Sequence, residues 1–190
     1  HFSKSFSVNA AKTALAFTLP NIELWSPQQP KRYQVNLTID QDKLSDQIGF
    51  RTVKASGKQV LLNGQPIFMR GIAIHEEIPQ DMRRAWTRAD ALQLLGQANP
   101  LGCPMVRLAH YPHDETMTRA ADSMGILVWS EIPVYWTIDF KSNTVFNKAA
   151  RQLQEMITRD HNRASIIVWS VGNETPVSPP RTYFMAQLIK

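Results

Sequence analysis

Apolar and polar residues alternate between Arg32 and Ile39: Tyr33, Val35, Leu37 and Ile39 on one side, Arg32, Gln34, Asn36 and Thr38 on the other. A period of two predicts a strand with one wet face. Ser5 to Val8 and Ala14 to Leu19 read as two further short strands, with turns at Asn9 and at Trp25-Ser26-Pro27. About fifty residues of such strands fall short of a complete antiparallel sandwich, so residues 1–54 are expected to be the C-terminal part of one.

The period changes near residue 54. Asn63-Gly64, set between Val60-Leu61-Leu62 and Pro66-Ile67-Phe68, predicts a tight hairpin, because both turn residues tolerate positive φ. From there strands and helices alternate. Ile67 to Ala73, Met105 to Ala109, Ile126 to Trp129 and Ile166 to Val171 are the expected strands, the last two without alternation, as for strands buried on both faces. Helices are expected at Thr87–Ala98, with Thr87 and Asp90 in capping-box spacing and Leu92 and Leu95 facing inward, and from about Asp114 to Met124, ended by Gly125. A third carries Phe146, Ala149, Ala150, Leu153, Met156 and Ile157 on one face, and a fourth begins at Arg181. Four strands alternating with helices predict βαβ units and a parallel sheet over residues 55–190.

Composition narrows this further. At 43% hydrophobic and 19% charged residues, the chain has the make-up of an ordinary globular protein and not of a disordered tail. No apolar run approaches the roughly 18 residues of a membrane helix, so no membrane partner is expected. The 21 Lys and Arg exceed the 16 Asp and Glu by five, but they are scattered, which gives no nucleic-acid footprint. Cys103 is the one cysteine; set before an apolar strand, it reads as a buried structural thiol and leaves the compartment open. Residue 1 is His and no leader pattern follows it, so the chain reads as opening within a longer one.

The residues at the ends of the four strands hold the candidate chemistry. They are His75, His110, Glu131 and the pair Asn173-Glu174. In a parallel α/β barrel this rim bears the active site. With Trp129, Tyr135, Trp136 and Trp169 nearby in sequence, the set suggests a cleft for a polyhydroxylated ligand: aromatic faces for sugar C–H groups, carboxylates, imidazoles and amides for hydroxyls. Each residue also has a structural alternative. Glu174 could sit at a helix N-terminus for the dipole's sake, and His110 could be structural. Glu131 could pair with Arg70 or Arg107. His75 precedes Glu76 and Glu77, but no second histidine follows at helical spacing, so no metal or other cofactor is expected. Asp160-His161 has no GxSxG elbow near it and is set aside.

Several segments then resemble glycoside hydrolase family 2, the β-galactosidases, β-glucuronidases and β-mannosidases. They occur in that family's order: Gly49-Phe50-Arg51, Leu62-Asn63-Gly64-Gln65-Pro66, Arg70-Gly71 through His75-Glu76, Val106-Arg107-Leu108-Ala109-His110-Tyr111-Pro112, Arg159-Asp160-His161-Asn162, and Ile167 through Glu174. Trp25-Ser26-Pro27 with Tyr33 resembles the end of its immunoglobulin-like domain. The resemblance implies an α/β fold, the first half of a (β/α)8 TIM barrel preceded by the end of an immunoglobulin-like β-sandwich, and a retaining two-carboxylate hydrolysis. It implies Glu174 as general acid/base, Asn173 on the sugar 2-hydroxyl, and His75 and His110 as sugar-binding histidines. Arg107 matches an arginine supporting the carboxylates. Glu131 matches a glutamate at the third strand end, and Trp169 joins the substrate-binding set.

Departures from the pattern qualify it. Where the β-galactosidase pattern has a Glu-x-His that helps hold magnesium, Glu131 is followed by Ile132-Pro133-Val134-Tyr135-Trp136. The usual Asn-His-Pro-Ser reads Asn162-Arg163-Ala164-Ser165, at a loop where no effect on chemistry is expected, and Asn99-Pro100-Leu101-Gly102 is unusual at a helix end. The family's nucleophile, a second glutamate at the seventh strand end, has no counterpart among these four strands. The expectation is a fragment of a retaining exo-β-glycosidase, β-galactosidase first, with β-glucuronidase or β-mannosidase as alternatives and a non-catalytic carbohydrate-binding protein as the alternative of another class. The partner is a carbohydrate; oligomeric state is left open.

Overall fold

The computed structural model describes residues 2–7, 14, 16 and 18–190. Val8 and Asn9, and two positions within Ala14–Leu19, lie outside the described residues, and the described remainder of those two expected strands carries none. The alternating segment forms β1 (Tyr33–Ile39), paired antiparallel with β2 (Asp42–Ile48) across a turn in which Asp40 has φ +52°. Leu37, Ile39 and Leu44 are exposed, because among the described residues no second sheet covers this hairpin. Its alternation is right for a strand, yet the apolar face is not buried.

Next comes a three-stranded antiparallel meander: β3 (Val53–Ser56), β4 (Gln59–Leu62) and β5 (Gln65–Ile67). Asn63 (φ +52°) and Gly64 (φ +79°) make the expected turn between β4 and β5. The Asn63 side chain also accepts from the Thr52 amide at 3.0 Å and donates to the Trp25 carbonyl at 2.9 Å, tying the meander to the preceding segment. The run from Ile67 to Ala73 is not one strand. Ile67 closes the meander, and the first parallel strand is β6 (Gly71–Ile74), after an irregular link of three residues.

The remaining elements build half a wheel. A small ribbon of β7 (Glu77–Ile78) and β8 (Arg83–Arg84) flanks a 3-10 turn at Pro79–Asp81; nothing in the sequence pattern signals it. Then follow α1 (Arg88–Gly96), β9 (Met105–Leu108), α2 (Glu115–Met124), β10 (Leu127–Glu131), α3 (Asn143–Asp160), β11 (Ile166–Ser170) and α4 (Pro179–Ile189). Strands β6, β9, β10 and β11 lie side by side in chain order, all parallel, each joined to the next by a helix. The Thr87–Asp90 capping box forms in full, an arrangement of about 1 kcal/mol. Leu92, however, is 37% exposed; the inner row is Ala91, Leu94, Leu95 and Ala98, one step round the helix.

Three cores hold this together. The outward faces of the first strands pack on α1 and α2, with Cys103 buried among them. Ile132 and Val134 pack under α3 and α4. At the base of the sheet, fully buried Trp25 meets Leu62, Met105, Leu127 and Ala164, and its indole donates to the Asp122 carbonyl at 2.8 Å. Gly125 ends α2 at φ +71°, and a Cβ there would lie 2.3 Å from the Pro27 carbonyl oxygen. Glycine thus satisfies both the left-handed cap and the close approach of the Trp25-Ser26-Pro27 turn.

Candidate active site

Arg107 stands at the middle of the rim. It occupies β9 between buried Val106 and Leu108, so the period of two turns it to the other face of the sheet. Its guanidinium donates to both oxygens of Glu131, at 2.7 Å (Oε1) and 3.0 and 3.2 Å (Oε2), and to Asn173 Oδ1 at 2.6 Å. Arginine only donates, so the Asn173 carbonyl oxygen faces it and the amide NH2 is left as a donor. The Asn173 backbone amide donates to the Val134 carbonyl at 2.9 Å. That residue is therefore fixed at both ends, by β9 and by the loop after β10.

Glu131 is 0% exposed. Besides Arg107 it accepts from the Ser170 hydroxyl at 2.8 Å and the Trp129 indole at 3.1 Å, and His110 Nδ1 lies 3.2 Å away. Burial pushes its carboxyl up, but Arg107, Ser170 and Trp129 outweigh that and hold it below the usual value. With every lone pair engaged, Glu131 anchors the floor and is not open to a ligand. Of its two candidate partners Arg107 is the one, while Arg70 instead donates to the Gly102 carbonyl. Since the Arg107 amino group already serves Glu131 and Asn173, the consistent tautomer of His110 donates from Nδ1 to Glu131 and keeps Nε2 as its acceptor.

The imidazole of His110 meets His75 edge-on at 5.1 Å, and Tyr135 flanks it at 6.1 Å with its hydroxyl on the His110 carbonyl at 3.0 Å. The Ala109–His110 peptide is cis. Exposed His75 lies one residue beyond β6. Its neighbour Glu76 is buried, its carboxylate engaged by Arg84 and the Asp114 amide, and so is not a ligand beside His75. Among the described residues no group of three or more His, Cys, Asp and Glu is arranged to hold a metal.

Glu174 differs from Glu131 in each respect. It is exposed, no hydrogen bond or ion pair to its carboxylate is found among the described residues, and its backbone is left-handed at φ +47°. It lies four residues before Ser178, the N-cap of α4, which removes the helix-terminus alternative. A non-glycine residue in that region is uncommon, costs about 1–2 kcal/mol, and often marks a functional position.

Trp169 is displaced from the expected cleft. A shift in the β10–β11 register between Val128 and Trp129 puts Trp169 opposite Ser130, and it packs on both helical cores. Trp136, 64% exposed, remains at the rim. Ser170 escaped the sequence reading; its signal was a polar residue inside the apolar run Ile166–Val171, in step with Val168.

His113 lies just beyond the rim and is buried. Its Nε2 donates to the Ala109 carbonyl at 2.9 Å, and its Nδ1 has no partner. Burial, aided by the nearby Arg84, His75 and Arg159, pushes it down to about 4, despite the bond to Ala109. The unfolded chain therefore takes up a proton near pH 6.5 that the folded one refuses until about pH 4. Unfolding free energy should fall by up to about 3 kcal/mol as pH drops through that window. Urea unfolding at pH 7, 5.5 and 4 checks it: the loss should shrink in His113→Gln, which retains an N–H for Ala109, and parallel curves would refute the assignment.

Comparison with known proteins agrees with this architecture. The model of the family described as "Glycosyl hydrolases family 2, TIM barrel domain" matches residues 53–190, and that described as "Glycosyl hydrolases family 2" matches residues 2–51. A β-galactosidase of Thermoanaerobacterium thermosulfurigenes is 33% identical over 183 residues, 90% of this chain and 25% of that protein. A β-glucuronidase of Streptococcus agalactiae is 32% identical over 176 residues, 82% of this chain and 29% of that protein. The structure of a Ruminococcus gnavus β-glucuronidase in complex with D-glucaro-d-lactam superposes with a TM-score of 0.81 at 27% identity, covering 88% of this chain and 30% of that one. The chain thus spans less than a third of each of these proteins. With both family models matched in order across it, the chain belongs to glycosyl hydrolase family 2.

Proposed function

We propose that this chain supplies the acid/base half of a retaining exo-β-glycosidase. The observation that carries the reading is the pairing of an exposed Glu174, without a hydrogen-bond partner among the described residues, with an Asn173 whose amide is oriented by Arg107. Glu174 protonates the departing glycosidic oxygen and then removes a proton from the water that attacks the glycosyl intermediate. Asn173 donates to the sugar 2-hydroxyl, and His75 and His110 take other hydroxyls. The second carboxylate must reach the anomeric carbon about 5 Å from Glu174. Glu131, buried and fully hydrogen-bonded, does not fit that role, so the nucleophile comes from outside these 190 residues.

The sugar is a terminal β-linked pyranoside. β-Galactoside is the first choice; β-glucuronide is the second, favoured by the likeness to glucuronidases solved with uronic isofagomine and D-glucaro-d-lactam. Nitrophenyl β-galactoside, β-glucuronide and β-mannoside, offered to the 190-residue chain and to a protein that continues it to a second strand-end glutamate, test the reading. The expected result is hydrolysis with retained configuration by the longer protein only. Inversion, or no hydrolysis of any of them, would sink the enzymatic reading in favour of carbohydrate binding alone; turnover by the 190 residues would place the nucleophile within them.

A further inference from the structure

Away from the strand-end cleft, a cavity of about 340 Å³ opens between the β1–β2 hairpin and the helical side of the barrel. Four arginines line it, Arg32 from the hairpin side and Arg88, Arg119 and Arg163 from the barrel side, and the only acidic residue in its wall is Asp46. That carboxylate is already engaged, since both Arg119 and Arg163 donate to it. Arg163, its side chain only 4% exposed, also donates to the Gln47 carbonyl at 3.2 Å and is thereby fixed in the wall. It stands at the loop position where the family resemblance expects histidine.

The other donors are not used up. Arg119 gives Nε to Glu115 at 3.1 Å and Nη1 to Asp46, which leaves Nη2 free. Arg32 and Arg88 make no hydrogen bond or ion pair among the described residues, and neither does the Gln47 side-chain amide. Against the four guanidiniums stand Asp46, Glu115 on Arg119 and Asp122 3.6 Å from Arg163, which leaves one net positive charge, with Arg32 and Arg88 the arginines not ion-paired among the described residues, around a space with room for a ligand. Guanidinium groups pair bidentately with phosphate and sulfate oxygens, and ligand sites favour junctions between domains. We infer that this cavity binds a multivalent oxyanion of phosphate or sulfate chemistry, held by Arg32, Arg88, the free amino group of Arg119 and the Gln47 amide. The bound anion bridges the hairpin to the barrel and shields the arginines from one another.

Isothermal titration of inorganic phosphate, and separately of sulfate, into the purified protein at constant ionic strength tests this. Saturable binding is expected, at least about tenfold weaker in the Arg32→Ala/Arg88→Ala double variant, the scale of one lost charge-assisted pair. Neither side chain holds a hydrogen bond or ion pair among the described residues, so the unliganded melting temperature should move by no more than about a degree. The single variants Arg32→Gln and Arg88→Gln, each weaker than the parent, keep the test decisive if the double variant does not fold. No saturable heat, or equal affinity in the variants, would overturn the site.

Discussion

Glu174→Gln is expected to lower turnover of a natural β-glycoside by about 10²- to 10⁴-fold, the usual contribution of a positioned acid or base. Gln is isosteric and the parent carboxylate has no partner among the described residues, so stability should change by no more than about 0.5 kcal/mol. The diagnostic lies in the leaving group. A poor leaving group needs the proton, whereas a dinitrophenolate departs without one, so kcat/KM on the activated aryl glycoside should be nearly unchanged. Its kcat should still fall, because Gln cannot deprotonate the water of the second step. The result is a burst of nitrophenolate followed by a slow phase, with glycosyl-enzyme accumulating. Equal losses of kcat/KM on both substrates would remove Glu174 from the acid role and leave it a sugar contact.

How far the sequence reached can be judged at particular residues. The parallel strands and their order were legible because mostly apolar runs of four to seven residues, separated by helical periodicity, admit few topologies. His75, His110, Asn173 and Glu174 follow directly from where those runs end. Glu131 could not be resolved that way: whether a strand-end carboxylate faces ligand or an arginine is a matter of burial, which only the assembled sheet sets. Trp169 packs on the helical cores for a local reason. Its face depends on a register shift beside β10, and a single irregularity reverses inside and outside for everything after it. The split of Ile67–Ala73 is similar, since the run gives no sign that two sheets divide it. In both cases the composition was read correctly and the pairing partner was not.

Arg107→Met should produce the largest loss of stability, about 3–5 kcal/mol, because it leaves the buried Glu131 charge without its cation. Trp129, Ser170 and His110 remain as partial solvation, which places the value toward the low end. The charge is the cause, so removing it should rescue: Glu131→Gln in the Arg107→Met background should recover more than half of the loss, a coupling of about 2 kcal/mol in a double-mutant cycle. Additive losses would show that Arg107 matters for packing alone. A pH series separates the two further. In the parent, Glu131 is held below its unfolded value, so its contribution is present above about pH 4.3 and disappears as pH falls through the folded value. Without Arg107, burial is opposed only by the Ser170 and Trp129 hydrogen bonds, and the folded value rises. The variant's deficit relative to the parent should then narrow as pH falls. The Asn173 amide, no longer held at Oδ1, should weaken transition-state binding at every pH, so kcat/KM stays depressed at the acidic pH where stability has partly recovered.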